Sequence, residues 1–187
     1  MATKRKQEIL DAALRGFAEK GIAGTTVEEV RRRSGASVGS IYHHFGDKEG
    51  IAAALYVASL QDYQRGIQKL LAEGSEAERT IRALVRYHLR WVAADRDRAL
   101  FLLSGAPPRA AEGIAEVNRD ALRVTSRWLT QHVRAGRLRD VPFDVFFSVL
   151  IGPAQEFSRY WLKGRMRTSI RAAERELGEA AWRALAP

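Results

Sequence analysis

The sequence of 187 residues contains no cysteine and no long uninterrupted run of apolar residues. The lack of cysteine excludes disulfide bonds, thiolate metal sites and cysteine nucleophiles. The most apolar region, residues 143–157, is interrupted by polar residues and by Gly152 and Pro153, whereas a membrane-spanning helix needs about twenty apolar residues. The N-terminus carries charge without a following apolar stretch, which is not the pattern of a secretory signal. We therefore expect a cytoplasmic protein with no membrane partner.

Basic residues outnumber acidic ones, with 31 Lys or Arg against 22 Asp or Glu, and the net charge of +9 favours a polyanionic partner. The excess is not concentrated near the N-terminus. Residues 1–50 hold nine basic and seven acidic residues, leaving +2, and residues 51–187 hold 22 and 15, leaving +7. The basic clusters at 4–6 and 31–33 are candidates for phosphate contacts. A solvated surface explains the second cluster equally well.

Residues 25–48 predict two short helices joined by a tight turn. Thr25 and Thr26 offer N-cap hydroxyls for the first helix. Gly35 ends that helix, because glycine enters the left-handed region without strain, and Ser37 caps the second helix. The apolar positions of the second helix recur at helical spacing and are Val38, Ile41 and Phe45. Two helices with a short glycine turn between them form a helix-turn-helix.

The outward face of the second helix carries small groups followed by hydrogen-bonding aromatic side chains, and such a face suits a helix in the DNA major groove. We expect Gly39 and Ser40 to lie nearest the base edges. Thr26, Tyr42 and Lys48 are expected to contact phosphates, the lysine because it begins the next helix, where the exposed N–H groups attract anions. The predicted DNA-contacting residues are Thr26, Ser37, Val38, Gly39, Ser40, Tyr42, His43 and Lys48.

The run GIAGTTVEEVRRRSGASVGSIYHHFGDKEGI, from Gly21 to Ile51, resembles the DNA-binding head of the TetR (tetracycline-repressor) family of bacterial transcription regulators. The resemblance covers residues 7–55, and its most specific part is SIYHHFGDKE. It implies an all-α fold with a three-helix DNA-binding head at residues 1–46 and a helical ligand-binding and dimerisation domain at residues 47–187. It also implies double-stranded DNA with a palindromic operator as partner, and a small-molecule effector.

Apolar residues recur at helical spacing along the whole chain, and no stretch alternates convincingly as a strand. We therefore predict an all-helical fold with about nine helices. The helix that begins at Asp47 is expected to continue to about Leu71 and to join the head to the rest of the chain.

The last two helices, expected at about 142–164 and 168–185, carry more apolar surface than a single chain can bury. We therefore expect them to pack against their two-fold mates as a four-helix interface of a homodimer. The predicted interface residues are Phe146, Phe147, Leu150, Phe157, Ile170 and Leu177.

Aromatic residues beyond the head have two explanations that the sequence leaves open. Ordinary core packing is the more frequent one for any single residue, and a ligand cavity between helices is the other. The resemblance implies such a cavity in the C-terminal domain. The residues predicted to line it are Trp91, Phe101, Trp128 and Phe157.

The four histidines show no catalytic or metal-binding spacing. His43 and His44 are adjacent and therefore point away from each other on a helix. His88 and His132 have no partner four residues away and belong to no H-E-x-x-H motif. We predict that the protein is not an enzyme and holds no metal and no cofactor.

The predicted function is that of a ligand-responsive, sequence-specific DNA-binding regulator, a repressor that a small-molecule inducer releases from its operator. One alternative is a helical ligand-binding or enzymatic domain in which the helix-turn-helix is only structural. Another is an architectural protein that binds nucleic acid without sequence preference and with a steep salt dependence. Exposure of Tyr42, His43 and Lys48 on one face, without apolar cover, separates the first hypothesis from the second.

Overall fold

The computed structural model describes residues 2–187, and within them the chain is helical, without a strand. The helices are α1 (Ala2–Gly24), α2 (Val27–Ser34), α3 (Val38–Phe45), α4 (Lys48–Glu73), α5 (Ala77–Ala94), α6 (Arg96–Leu103), α7 (Ala111–Arg134), α8 (Phe143–Leu162) and α9 (Ile170–Leu185), with a 3₁₀ helix at Pro108–Ala110. The predicted all-α class with about nine helices is confirmed. None of these helices combines the length and the apolar character that crossing a membrane requires.

Local capping sets the helix ends near the N-terminus. Gly21, at φ 72°, interrupts α1 one turn before its end. The Thr26 hydroxyl caps α2 by accepting from the Glu29 N–H at 3.1 Å, and Gly35, at φ 65°, ends α2 in the left-handed conformation. The Ser37 hydroxyl then accepts from the Ser40 N–H at 3.1 Å and starts α3. These are the stops and starts that the sequence predicts.

Contacts divide the chain into two compact units, called unit 1 and unit 2 below. Unit 1 comprises the chain up to Gln61 together with Asp97–Val117, and unit 2 comprises Asp62–Arg96 and Asn118–Pro187. The core of unit 1 joins α1–α3 to the first half of α4 and to α6. Phe101 of α6 lies in this core, with its ring 5.7 Å from that of Phe17 and 6.1 Å from that of Tyr56.

The boundary between the compact units does not fall at residue 46, where we predict the functional boundary. Unit 1 continues through α4 to Gln61 and takes in residues 97–117, because Phe101 is buried against α1 and α4. The helix α4 is continuous across the division at Gln61. The assignment of DNA binding to 1–46 and of regulation to 47–187 stays a prediction.

Unit 2 is built around α5, which packs mainly on α9 and α8. Its buried residues include Ile81, Leu84, Val85, Leu89, Phe146, Leu150, Ile151 and Leu185. Each fully buried side chain of this size contributes about 1.5–3 kcal/mol relative to exposure, so burial in this core stabilises the packing of α5 on α8 and α9.

Two residues of the predicted dimer interface lie in this core instead. Phe146 and Leu150 are buried within one chain and are removed from the predicted interface. They are buried because α8 turns one face toward α5 and α9, and the sequence alone does not show which aromatic residues that face contains. Phe147 is 44% exposed. The remaining three, Phe157, Ile170 and Leu177, are partly buried against the core.

A groove between α8 and α9 is left open on the chain surface. Its volume is about 540 Å³, and its lining includes Val145, Val149, Pro153 and three alanines of α9. Val145 is 44% exposed. The groove is therefore an apolar surface on the two helices for which the sequence predicts a dimer contact.

Candidate nucleic-acid interface

The helix α3 has one face in the core of unit 1 and one face in solvent. Ile41 and Phe45 are buried against α1 and α4. Tyr42 is 51% exposed, although a tyrosine is normally at least partly covered. His43 is also exposed, and its ring lies 5.3 Å from that of His44. The predicted outward face is therefore free of apolar cover.

Val38 lies on the exposed side of α3. Its helical spacing groups it with Ile41 and Phe45, but it is not buried with them. It is 45% exposed, because it is the first residue of the helix and core contacts begin only at Ile41. The expectation that Val38 faces inward is corrected. Its place among the DNA-contacting residues stays a prediction.

Gly39 and Ser40, the smallest residues on this part of α3, lie on the same exposed side of the helix as Tyr42. A Cβ added to Gly39 would meet no atom within 4 Å, so the helix backbone is open to the approach of another molecule there. Ser40 is half-buried and uses its N–H in the cap of Ser37. That Gly39 and Ser40 lie nearest the base edges stays a prediction.

Lys48 and Thr26 begin helices that meet on one side of unit 1. The Lys48 ammonium donates to the Ala23 carbonyl at 3.1 Å, three residues before the exposed cap of α2 at Thr26. This bond brings the start of α4 next to the segment that leads into α2. The starts of α2 and α4 thus lie close together, and each has a side-chain cap, Thr26 for α2 and Asp47 for α4.

Only one arginine of the cluster at 31–33 forms no ion pair with a described residue of the chain and is available to contact a partner molecule. Arg31 forms a bidentate pair with Glu28 at 2.7 and 2.6 Å, and Arg33 forms one with Glu19 at 2.9 and 2.6 Å. The pKa of both carboxyl groups is lowered, first of all by these hydrogen bonds. Arg32 is exposed and makes no ion pair within residues 2–187.

Asp47 caps α4 and also forms an ion pair with Arg109. Sequence reasoning does not identify Arg109 as part of this site. Its Oδ1 accepts from the Gly50 N–H at 2.7 Å, and Arg109 donates to both of its oxygens at 2.6 Å. The backbone bond from Gly50, followed by the bond from Arg109, lowers the pKa of Asp47. Arg109 lies 62 residues from Asp47, and no local pattern links them.

Gly50 is a second residue without a local signal. A Cβ at this position would lie 1.9 Å from the Phe45 carbonyl oxygen. The last residue of α3 and the first turn of α4 therefore touch at a distance that only glycine permits. This contact fixes α3 against α4.

The four residues predicted to line an effector cavity do not form one cluster within either unit. Phe101 lies in the core of unit 1. Trp91, Trp128 and Phe157 belong to unit 2. There the Trp91 indole donates to Asp62 at 3.1 Å and the Trp128 indole donates to the Gly74 carbonyl at 3.0 Å. Their role toward a ligand stays a prediction.

A buried polar network in unit 2 centres on His88. The Tyr63 hydroxyl lies 2.9 Å from Nδ1, and the Ser158 hydroxyl lies 3.2 Å from Nε2 and donates to the Ala154 carbonyl at 2.8 Å. Because Ser158 donates its proton to Ala154, the bonds are consistent if Nε2–H donates to Ser158 and Nδ1 accepts from Tyr63. Burial lowers the pKa of His88 to about 4, so the ring is neutral at physiological pH.

Comparison with known proteins gives the family. The family model described as bacterial regulatory proteins, tetR family, matches residues 9–55, which contain α2, α3 and most of α1. The transcriptional repressor AcnR of Corynebacterium diphtheriae is 33% identical over 149 residues, which are 78% of this chain and 75% of that protein. The chain belongs to the TetR family.

Other TetR-family matches are partial in sequence or limited to the fold. The repressor KstR2 of Rhodococcus jostii is 36% identical over 81 residues, so the chain spans only 40% of that relative's length. The crystal structure of the regulator FadR from Bacillus subtilis, in complex with stearoyl-CoA, superposes with a TM-score of 0.80 at 20% identity, covering 94% of this chain and 96% of that one. This likeness shows that the two chains share a fold over nearly the whole of their length.

Proposed function

We propose that this TetR-family chain is a ligand-responsive, sequence-specific DNA-binding repressor that a small-molecule inducer releases from a palindromic operator. The observation that supports the proposal is the exposed face of α3, which carries Tyr42, His43 and the open backbone of Gly39. A helix-turn-helix that served only to stabilise the fold would not need a half-exposed tyrosine there. We propose a regulator without enzymatic activity that acts in the cytoplasm, where bacterial DNA lies.

The proposed contacts follow from what each residue presents. Gly39 and Ser40 take the positions nearest the base edges, because a helix can approach closest where its side chains are small. Tyr42, Thr26 and Lys48 take the phosphates, because they stand at the edge of α3 and at helix N-termini. The residues that flank these contacts are Ser37, Val38 and His43.

The proposed assembly is a homodimer through α8 and α9. Phe147, Phe157, Ile170 and Leu177 stay in the proposed interface, and Val145 joins them as a half-exposed apolar residue of the groove on these helices. A dimer that binds a two-fold site holds its two reading helices about one DNA turn, roughly 34 Å, apart. Dimerisation and operator symmetry are therefore parts of one proposal.

The proposed effector is a small molecule that binds beyond the head. FadR from Bacillus subtilis binds stearoyl-CoA in its crystal structure, and an acyl thioester is therefore the first class to screen. Trp91, Trp128 and Phe157 are the candidate contacts in unit 2, and Phe101 is the candidate in unit 1. A thermal-shift screen identifies a ligand, because a ligand that binds only the folded state raises the melting temperature.

The test of sequence-specific binding is selection from a random DNA library, followed by affinity measurements as a function of salt. The wild type should enrich a palindromic site. Lys48→Ala should weaken binding to all sequences about equally and reduce the salt slope by roughly one unit, because one phosphate contact is lost. Lys69→Ala, at an exposed lysine of α4 in unit 2, is the matched control and should leave the slope unchanged.

Two results would contradict the proposal. Steeply salt-dependent binding without an enriched sequence would identify an architectural protein. An absence of DNA binding by the folded dimer would leave the helix-turn-helix as a structural element. An unchanged slope for Lys48→Ala would remove only Lys48 from the set of contacts.

A further inference from the structure

The proposed DNA contacts do not explain most of the positive charge of the chain, because residues 51–187 carry a net charge of +7. Part of this charge is gathered in unit 2, in a groove of about 420 Å³ between α5 and α9. The charged side chains that line the groove are Arg82, Arg86, Arg90, Arg171, Arg175 and Glu174. Three of the five arginines are paired, Arg175 with its neighbour Glu176 at 2.8 Å and the other two in the ion pairs described next.

Two ion pairs between the helices hold the walls of this groove. Arg82 of α5 pairs with Glu179 of α9 and, within its own helix, with Glu78 at 2.7 Å. Two turns further along α5, Arg90 forms a bidentate pair with Glu174 at 2.9 and 3.0 Å. These pairs fix the spacing of α5 and α9 at two points along the groove.

Arg86 stands between the two ion pairs and has no acidic partner. It lies one helical turn from Arg82 and one from Arg90, it is exposed, and it makes no ion pair within the described part of the chain. Its charge is therefore directed into a groove whose walls are already fixed, and the groove has an uncompensated cation at its centre.

Arg171, on the opposite wall, also lacks an acidic partner among residues 2–187. It lies in the first turn of α9, directly after the Ser169 cap, and that turn contains no acidic residue. A cation at a helix N-terminus is in an unfavourable position, since the helix dipole is positive there. An anion in the groove would reverse this penalty.

We propose that the groove between α5 and α9 binds a phosphorylated small molecule with two or more linked phosphates. Arginine is the side chain best suited to phosphate, because its planar group donates two parallel hydrogen bonds. Two linked phosphates match two free guanidinium groups, Arg86 and Arg171, on facing walls. The volume lies within the range of about 300–1,000 Å³ that small-molecule sites occupy.

The shape and lining of the groove favour this ligand over other polyanions. No aromatic side chain lines it, whereas sites for single-stranded nucleic acid stack bases on aromatic rings. It is concave, whereas an anionic membrane is met by a protruding basic surface with apolar anchors. We therefore assign the groove to a small phosphorylated molecule.

The test is calorimetric titration of the wild type with inorganic pyrophosphate at constant ionic strength, with sodium sulfate as the comparison anion. We expect pyrophosphate to bind at least tenfold more tightly than sulfate. The double variant Arg86→Gln/Arg171→Gln should weaken pyrophosphate binding at least tenfold. The control Arg119→Gln/Arg127→Gln removes the same charge from exposed positions of α7 and should bind like the wild type.

Other outcomes contradict the proposal. Equal losses in the two double variants would show a response to net charge alone, and equal affinity for sulfate would show an adventitious anion site only. Binding of a single-stranded oligonucleotide or of phosphatidylglycerol vesicles that is lost in Arg86→Gln/Arg171→Gln, without pyrophosphate binding, would assign the groove to that partner.

Because the titration contains no operator DNA, its failure leaves the proposed repressor function untouched. Should the double variant unfold, the single variant Arg86→Gln carries the test.

Discussion

Gly39 and Gly50 are both helical glycines of unit 1, but their surroundings differ. Gly39 has no atom within 4 Å of a potential Cβ, whereas a Cβ at Gly50 would lie 1.9 Å from a backbone oxygen. Glycine at position 50 is explained by the fold. Glycine at position 39 is not, because alanine there would fit and would favour the helix. The proposed DNA contact, in which a partner approaches the backbone closely, would explain Gly39.

We therefore expect Gly39→Ala to separate stability from DNA binding. The free energy of unfolding should rise by up to about 1 kcal/mol, because alanine is the better helix former. Operator affinity should fall at the same time, because the added methyl group holds α3 away from the base edges. Denaturant unfolding and a binding titration on the same preparation measure the two effects.

Gly50→Ala is the contrasting variant. It should lower the free energy of unfolding by about 1–3 kcal/mol or more, because the new methyl group overlaps the Phe45 carbonyl. If Gly39→Ala binds the operator as tightly as the wild type, Gly39 does not lie against DNA and the proposed contacts at α3 must be revised.

His88 makes the stability of unit 2 depend on pH. Its pKa is lowered from 6.5 to about 4 by burial, so the unfolded chain binds a proton more readily than the folded one. The stabilisation is complete above pH 6.5 and decreases as the pH falls from 6.5 toward 4, by roughly 3 kcal/mol in all.

The measurement is the free energy of unfolding of the wild type and of His88→Gln between pH 7.5 and 4.5. The wild-type curve should fall more steeply below pH 6.5, because glutamine does not titrate. All other titrating groups are common to both proteins. Parallel curves would contradict this, because they would show that the pKa of His88 is the same in the folded and the unfolded chain.

At the scale of helices, the local signals in the sequence are reliable. Thr26, Ser37, Asp47 and Ser169 each cap a helix that the sequence predicts, because a cap depends on residues only three positions away. The helix α5 is the exception, since it begins after Glu76 without a side-chain cap. Helix existence and helix starts are therefore largely predictable here.

Contacts between distant helices are what the sequence does not predict. The packing of Phe101 on Phe17, the pair of Arg109 with Asp47 and the direction of Phe146 all depend on which helix faces meet. Helical periodicity identifies an apolar face but not its neighbour, and it gives no sign of which side of a wide apolar helix lies inward. The exposure of Tyr42 and His43 on α3 was predictable because both lie within one short motif.

The helix α4 runs without interruption from Lys48 to Glu73 and crosses the division between the two units at Gln61. We expect an insertion of two glycines after Ser59 to leave α1–α3 folded and to weaken operator binding, since the two reading helices of the dimer would lose their fixed spacing. The response to a ligand found by thermal shift should also be reduced. Affinity for the selected operator, with and without that ligand, is the measurement.

An insertion of two glycines after Gly136, in the exposed turn that follows α7, is the matched control and should leave binding and response intact. Full induction in the α4 variant would show that α4 does not transmit the signal. In that case residues 97–117, which also belong to unit 1, become the next candidates.

For the whole molecule, the property to test is the proposed homodimer. We expect Val145→Glu to give monomers at micromolar concentration, because it places a charge in the apolar groove of α8 and α9. Leu122→Glu, at a residue of α7 that is 49% exposed, adds the same charge elsewhere and should leave the dimer intact. Sedimentation velocity measures both, and a monomeric wild type would contradict the interface.

The division into two units has a spectroscopic consequence. All four tryptophans, Trp91, Trp128, Trp161 and Trp182, belong to unit 2, and unit 1 contains none. Emission excited selectively at the indole band therefore originates from unit 2 alone. A quenching or wavelength shift on addition of a ligand reports an event in that unit, and the natural chain needs no attached dye to show it.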